Sequence, residues 1–229
     1  MPNLTAVFDL DGTLVDTAAD LSSATNRTLA KLGLPPAPAS LLKPVVNSGA
    51  RAMVEAGLLH HGVSKSVSEV DGLLDAFLAD YARNIAIESK PFPGALAALD
   101  RLKSSGARLG ICTNKREHLA RKLLAELKMD RMFDAIVGRD TLPVHKPDPG
   151  HLIGTVILAD GDLGRCVMVG DSEIDVRTAK SAGIPVIGVA FGFSREPIAS
   201  YKPDHVLDHY DRLGPAIDGL LPQPGKPRR

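Results

Sequence analysis

Val7-Phe8-Asp9-Leu10-Asp11-Gly12-Thr13-Leu14 is the stretch on which the reading of this chain turns. An apolar run from Leu4 to Phe8, broken only by Thr5, leads into it and predicts a buried strand. Asp9 and Asp11 follow at i and i+2, a spacing that puts both carboxylates on one side of an extended chain. Gly12 lets the backbone turn sharply after them. Two like charges so close repel, so a shared proton, a cation or both must compensate them, and a divalent metal with oxygen ligands suits the purpose. A strand that merely ends in an Asp-Gly turn would carry the same residues. The rest of the chain has to discriminate.

Working outward, 229 residues suffice for one domain with an insert, or for two small ones. Hydrophobic residues make up 44% and charged residues 24%, as in an ordinary globular protein. The formal net charge is zero, which argues against general nucleic-acid binding. The only basic cluster is Lys226 to Arg229, read as a frayed tail behind Pro222, Pro224 and Gly225. Asp9 and Asp11 interrupt the first apolar run too early for a signal peptide, and no uninterrupted apolar stretch reaches spanning length, so no membrane association is expected. Cys112 and Cys166 sit in apolar strand-like runs, without Cys-X-X-Cys spacing. Buried free thiols and a cytoplasmic setting are expected.

Between residues 16 and 90 the pattern is helical. Thr17 with Asp20 three residues on resembles a capping box, and Leu21, Ala24, Thr28 and Leu32 form a stripe closed by Gly33. Pro35, Pro36 and Pro38 make a linker. Asn47-Ser48-Gly49 interrupts a short helical piece, and Ala50 restarts it. Ser66 with Glu69 opens a further helix, with Val70, Leu73, Leu74, Phe77, Leu78 and Tyr81 on one face. After Pro91-Phe92-Pro93-Gly94 helices and strands alternate. Strands are expected at 108–112, 135–137, 166–169 and 186–189, with an edge strand near His205. One helix is capped by Asp148 with Pro149 at its first position, its buried stripe being Leu152, Ile153, Val156 and Ile157. The whole is an α/β protein: a doubly wound, Rossmann-like parallel sheet core (1–15 and 91–229) with an inserted helical cap (16–90).

In such cores ligands bind beyond the carboxyl ends of the strands, so polar residues should gather there. The first strand ends in Asp9 and Asp11. The second ends in Thr113-Asn114, either an anion-binding hydroxyl with backbone N–H groups at a helix mouth or simply that helix's cap. The third leads to Lys146-Pro147, where Lys146 is a phosphate clamp or a solvated loop lysine. The fourth ends in Gly170-Asp171, with Asp175 four residues later, and there Asp171 is a functional carboxylate or an N-cap. The bland readings would have to coincide at every strand end, so one shared site is the better account. It would hold a nucleophile, an acid/base, a cation site and positive clamps.

With these residues in place, the chain resembles the haloacid-dehalogenase-like phosphohydrolase superfamily. Asp9-Leu10-Asp11-Gly12-Thr13, Thr113, Lys146-Pro147 and Gly170-Asp171 with Asp175 match its four motifs in order. Asp16-Thr17, Pro93-Gly94, the run from Gly170 to Ala182-Gly183, Phe191-Gly192-Phe193 and Pro203-Asp204 resemble its phosphoglycolate phosphatase branch. The resemblance implies a Mg²⁺-dependent hydrolase of a small phosphorylated metabolite, with Asp9 as nucleophile and Asp11 as acid/base. Metal ligands would be Asp9, the backbone carbonyl of Asp11, Asp171 and Asp175 through water. Thr113, the Asn114 backbone and Lys146 would take the phosphoryl oxygens. In the cap, Arg51 behind Gly49 is a candidate for pairing with a second anionic group of the substrate, or else a solvated helix residue. The alternatives are phosphatases of sugar phosphates or nucleoside monophosphates, a sugar phosphomutase on the same core, and a silent binding protein, which the intact Asp9, Asp11, Lys146 and Asp171 disfavour.

Overall fold

The computed structural model describes residues 3–221, and the basic cluster at 226–229 lies outside the described residues. The opening apolar run forms β1 (Thr5–Phe8), fully buried. The chain then makes β2 (Val15–Asp16), α1 (Ala18–Ala30), α2 (Ala39–Leu42), a 3-10 turn (Lys43–Ser48), α3 (Ala50–His60), α4 (Val67–Arg83) and β3 (Lys90–Pro91). From there helices and strands alternate: α5 (Ala95–Ser104), β4 (Arg108–Cys112), α6 (Glu117–Glu126), β5 (Ala135–Val137), α7 (Pro149–Leu158), β6 (Cys166–Gly170), α8 (Glu173–Ser181), β7 (Val186–Val189), β8 (His205–Leu207) and α9 (Leu213–Leu220).

Six strands form one parallel sheet in the order β5-β4-β1-β6-β7-β8. The strand alternation sorts side chains by face. Val7, Cys112 and Met168 pack with Leu152 and Val156 of α7 and with Val176 and Ala179 of α8. Ala6, Phe8, Leu109, Ile111, Val167 and Val169 pack on the other face with α5, α6 and α9. The sheet is thus wound on both sides, and the strand order changes direction at β1. Phe8 pairs with Ile111 on one side and Val169 on the other, so Asp9, Thr113 and Asp171 arrive at the same edge.

The helical cap is held between two short strands absent from the sequence reading. β2 and β3 pair antiparallel, Val15 with Pro91 and Asp16 with Lys90, and the Phe92 N–H donates to the Leu14 carbonyl at 2.9 Å. Two residues are too few for an alternation signal.

Three local expectations are corrected. Thr17 stands at the N-cap of α1, yet its side chain does not cap the helix and its buried hydroxyl oxygen has no partner among the described residues. Asp20 is the reason: its carboxylate accepts from the Ser89 hydroxyl (2.6 Å), the Ser89 N–H (2.8 Å) and the Glu88 N–H (3.1 Å), binding the chain's return path instead of its own helix start. Leu32 lies past the end of α1 and is exposed, and Leu29 fills that place in the core. On α7, Ile157 is also exposed, while His151 and Thr155 are buried with Leu152 and Val156. The box at Ser66 and Glu69 forms as expected, because among the described residues Glu69 is claimed otherwise only by Lys65, one turn away.

Candidate active site

The site grows from the turn after β1. Leu14 and Val15 both donate backbone N–H groups to the Leu10 carbonyl at 3.0 Å, closing a tight loop that aims Asp9 and Asp11 outward. Gly12 is required there twice over. Its φ of +80° is in the left-handed region, and a Cβ would lie 2.5 Å from Asp171 Oδ2. The loop is tied down by the Thr13 hydroxyl donating to Asp171 Oδ1 (3.1 Å) and by the Tyr210 hydroxyl donating to the Thr13 carbonyl (2.8 Å).

Asp9, Asp171 and Asp175 converge, with ligand oxygens within 4.8 Å of one another and all three residues buried. Lys146 lies between two of them, 2.9 Å from Asp9 Oδ1 and 2.7 Å from Asp175 Oδ1, its side chain only 2% exposed. It is no solvated lysine: burial opposes its charge, but Asp175 and Asp9 outweigh burial and hold the ammonium well above its ordinary range. Asp175 uses its other oxygen in a capping box with Ser172 (Oδ2 to Ser172 Oγ, 2.6 Å), which fixes its rotamer. Ser172, not Asp171, is therefore the N-cap of α8, and Asp171 is left for the site.

Burial pushes the Asp9 carboxyl up to about 6; Lys146 counters this only in part, and the charge of Asp175 adds to the rise. Asp171 goes up to about 7 for the same first reason, with Asp175 and Asp9 adding repulsion, although Asn47 and the Phe193 N–H (2.8 Å) hydrogen-bond to it. Lys146 offsets only part of the effect of burial on Asp9. Three crowded, buried carboxylates against one ammonium fit a hard divalent cation.

Asp11 takes a different direction, and its side chain is outside that cluster. Both its carboxylate oxygens accept from Lys115 Nζ, at 2.8 and 3.1 Å. The Lys115 ammonium also donates to the Tyr81 hydroxyl of α4 (2.9 Å). Sequence reasoning passed over Lys115 and placed Tyr81 only in an apolar stripe. A cation directly after the Thr-Asn pair at a strand end was the signal available for the first.

Thr113 and Asn114 precede α6, whose N-cap is Arg116, so neither caps that helix. Nor is the helix mouth free: the Glu117 N–H donates to Asp140 Oδ1 (2.8 Å) and the Thr113 N–H to the Val137 carbonyl (3.0 Å). The Thr113 hydroxyl accepts from the Lys115 N–H (3.2 Å) and keeps its own proton to donate to an anion. The Asn114 amide donates to the Lys146 carbonyl (3.0 Å), bracing one clamp against the other, and its buried Oδ1 has no partner among the described residues.

From the cap, Asn47 Nδ2 reaches across to Asp171 Oδ2 (2.8 Å). Gly49, at φ +91°, makes the turn from the 3-10 segment into α3. Arg51 lines the same cleft as Asp9, Asp11, Thr113 and Asn114. It pairs with Asp71 of α4 and with Glu55 (3.6 Å), and 40% of its side chain is exposed. The cleft holds about 540 Å³, a size for a small metabolite. Among the described residues, no helix is long and apolar enough to cross a membrane.

Residues 6–189 match the model of the haloacid dehalogenase-like hydrolases. The chain is 42% identical to a phosphoglycolate phosphatase of Agrobacterium fabrum over 212 residues, covering 93% of this chain and 91% of that protein. It is 44% identical to a phosphoglycolate phosphatase of Mesorhizobium japonicum over 207 residues, covering 90% and 91%. Among solved structures, a predicted phosphoglycolate phosphatase from Haemophilus somnus superposes with a TM-score of 0.87 at 27% identity, over 94% of this chain and 99% of that one. With its carboxylates gathered at the strand ends of a doubly wound core, under an inserted helical cap, this chain belongs to the haloacid dehalogenase-like hydrolase family.

Proposed function

We propose that the chain is a Mg²⁺-dependent phosphomonoesterase whose substrate is 2-phosphoglycolate, released as glycolate and phosphate. The observation that carries the reading is the separation of the two motif carboxylates. Asp9 lies in the buried cluster beside Lys146, and Asp11 is turned toward the cleft wall and Lys115. Environments that differ this much suit two carboxylates with two tasks. The substrate comes from the relatives that share over a third of their residues with this chain along nine-tenths of its length.

In this reading a carboxylate oxygen of Asp9 attacks phosphorus in line with the ester oxygen, forming an aspartyl phosphate as the ester P–O bond breaks. Asp11, once it has left Lys115 and taken up a proton from solvent, gives that proton to the leaving alkoxide, then takes one from the water that hydrolyses the aspartyl phosphate and restores Asp9. Acid/base assistance of this kind is worth about 10²–10⁴-fold. Thr113 Oγ, the Asn114 backbone N–H and Lys146 Nζ donate to the phosphoryl oxygens. Mg²⁺ would be held by Asp9, the Asp11 carbonyl, Asp171 and Asp175, and when bound it supplies the positive charge that screens the phosphate from the attacking anion.

The boundaries of the cap fall at its two strands in this reading, with 1–15 and 91–229 as core and 16–90 as cap. Arg51 adds a cation at the cap's rim. Cys112 and Cys166, both free and buried, suit a reducing cytoplasm. The test is a panel of phosphomonoesters compared by kcat/KM, with Mg²⁺ and after chelation. The expected result is preference for 2-phosphoglycolate and loss of turnover on chelation. A preferred sugar phosphate or nucleotide would replace the substrate, phosphoryl transfer between sugar positions would make the protein a mutase, and full activity without divalent ions would overturn the metal.

A further inference from the structure

Four cationic side chains line the cleft: Arg51, Lys115, Arg116 and Arg139. Arg116 and Arg139 are exposed, and Arg51 is held by two carboxylates of the cap. Lys115 is different. Its side chain is 6% exposed, and among the described residues its one anionic partner is Asp11, the carboxylate that has to serve the leaving oxygen. Its other contact is Tyr81, whose ring centroid lies 4.6 Å from the ammonium and whose hydroxyl burial pushes up to about 12, so that Tyr81 offers a neutral oxygen and a π face.

When Asp11 faces the leaving oxygen, it turns from Lys115 and leaves a buried ammonium without an anion. Such a charge is strongly disfavoured unless another anion takes the place. One side chain serves both positions in turn, so the vacated place lies within the swing of the Asp11 carboxylate from the ester oxygen. A carboxylate on the carbon next to that oxygen reaches it.

We infer that Lys115, with the Tyr81 hydroxyl, is the subsite for a substrate carboxylate, which exchanges with Asp11 for the ammonium and frees Asp11 for the leaving oxygen. This rests on the phosphomonoesterase reading above and adds the residue that selects the acid. Recognition and reaction are thereby joined: an ester without the carboxylate leaves Asp11 engaged with Lys115. Because Tyr81 belongs to the cap and Asp11 to the core, the subsite is complete only when the two meet.

The test compares 2-phosphoglycolate with 2-hydroxyethyl phosphate, which has a neutral hydroxymethyl group where the acid has its carboxylate. In Lys115→Met the ratio of the two kcat/KM values should fall about ten- to a hundredfold, the worth of a hydrogen bond to a charged group. Lys115→Arg should recover part of the ratio, and Tyr81→Phe should lower it by a smaller factor in a well-folded protein. Both keep the test open if Lys115→Met does not fold. Parallel losses on the two esters in Lys115→Met and Tyr81→Phe would overturn the inference and reduce Lys115 to a support for Asp11. If the wild type prefers another carboxylated ester, such as 2-phospholactate, and Lys115→Met loses that preference, the subsite stands and the glycolate assignment falls. If the wild type prefers no carboxylated ester, both fall.

Discussion

The floor of the cleft and its rim are built on opposite terms. On the floor, Asp9, Lys146, Asp171 and Asp175 are buried, and each is held by neighbours from different strand ends. On the rim, Arg51, Glu55 and Asp71 form ion pairs among side chains that are 40 to 54% exposed. Buried charges that hold one another cannot be altered singly without leaving a charge unpaired. Exposed pairs are screened and worth little. Reaction geometry is therefore rigid at the floor, and the rim tolerates change.

The sharpest way to break this comparison is Asp9→Asn. The amide keeps the shape but cannot attack phosphorus, so turnover should fall by several orders of magnitude, while the fold survives because Lys146 still has Asp175 as its partner. Turnover near wild type would mean that the floor is not the reacting centre.

Metal binding sharpens it next. In the metal-free fold Asp9 and Asp171 hold protons up to about 6 and about 7, above the ordinary carboxylate value. A raised carboxylate contributes stability that is present at low pH and lost as pH climbs through those values. A divalent ion must displace the same protons, so Mg²⁺ affinity should rise with pH, on the order of a thousandfold between pH 5 and pH 8. The rise in melting temperature on adding Mg²⁺ should grow in the same direction. Calorimetric titrations at several pH values would measure this, and a flat profile would remove these two carboxylates from the metal site.

Smallest is the rim. Arg51→Ala should lower kcat/KM for 2-phosphoglycolate by less than about fivefold, the value of an exposed ion pair. A hundredfold loss confined to the acid would move acid recognition from the buried wall to the cap.

What the sequence shows of this site follows the same division. Asp9, Asp11, Thr113 and Asp171 are legible because each follows a strand whose apolar run announces it, and the parallel sheet brings such ends together; Lys146 is legible from Pro147 and the Asp148-Pro149 helix start beside it. Lys115 and Tyr81 are not legible, because their meaning is a contact between residues 34 apart on different layers. The same limit explains the start of α1. Ser66 with Glu69 and Ser172 with Asp175 make boxes, whereas Thr17 with Asp20 does not, because Asp20 binds backbone some seventy residues away. A local motif holds only where no distant partner competes for its side chain.

The two-residue strands β2 and β3 have a consequence for how this protein can change. Paired strands lie about 4.8 Å apart, so the core sheet experiences everything between Asp16 and Lys90 as one hairpin loop. The cost of closing a loop grows only with the logarithm of its length. Helices can then be lengthened, exchanged or removed inside that loop with little strain on β1 or on Asp9. The ribbon is a socket: modules of different shape can be fitted to one reaction floor, and a lineage can trade substrates without rebuilding its chemistry.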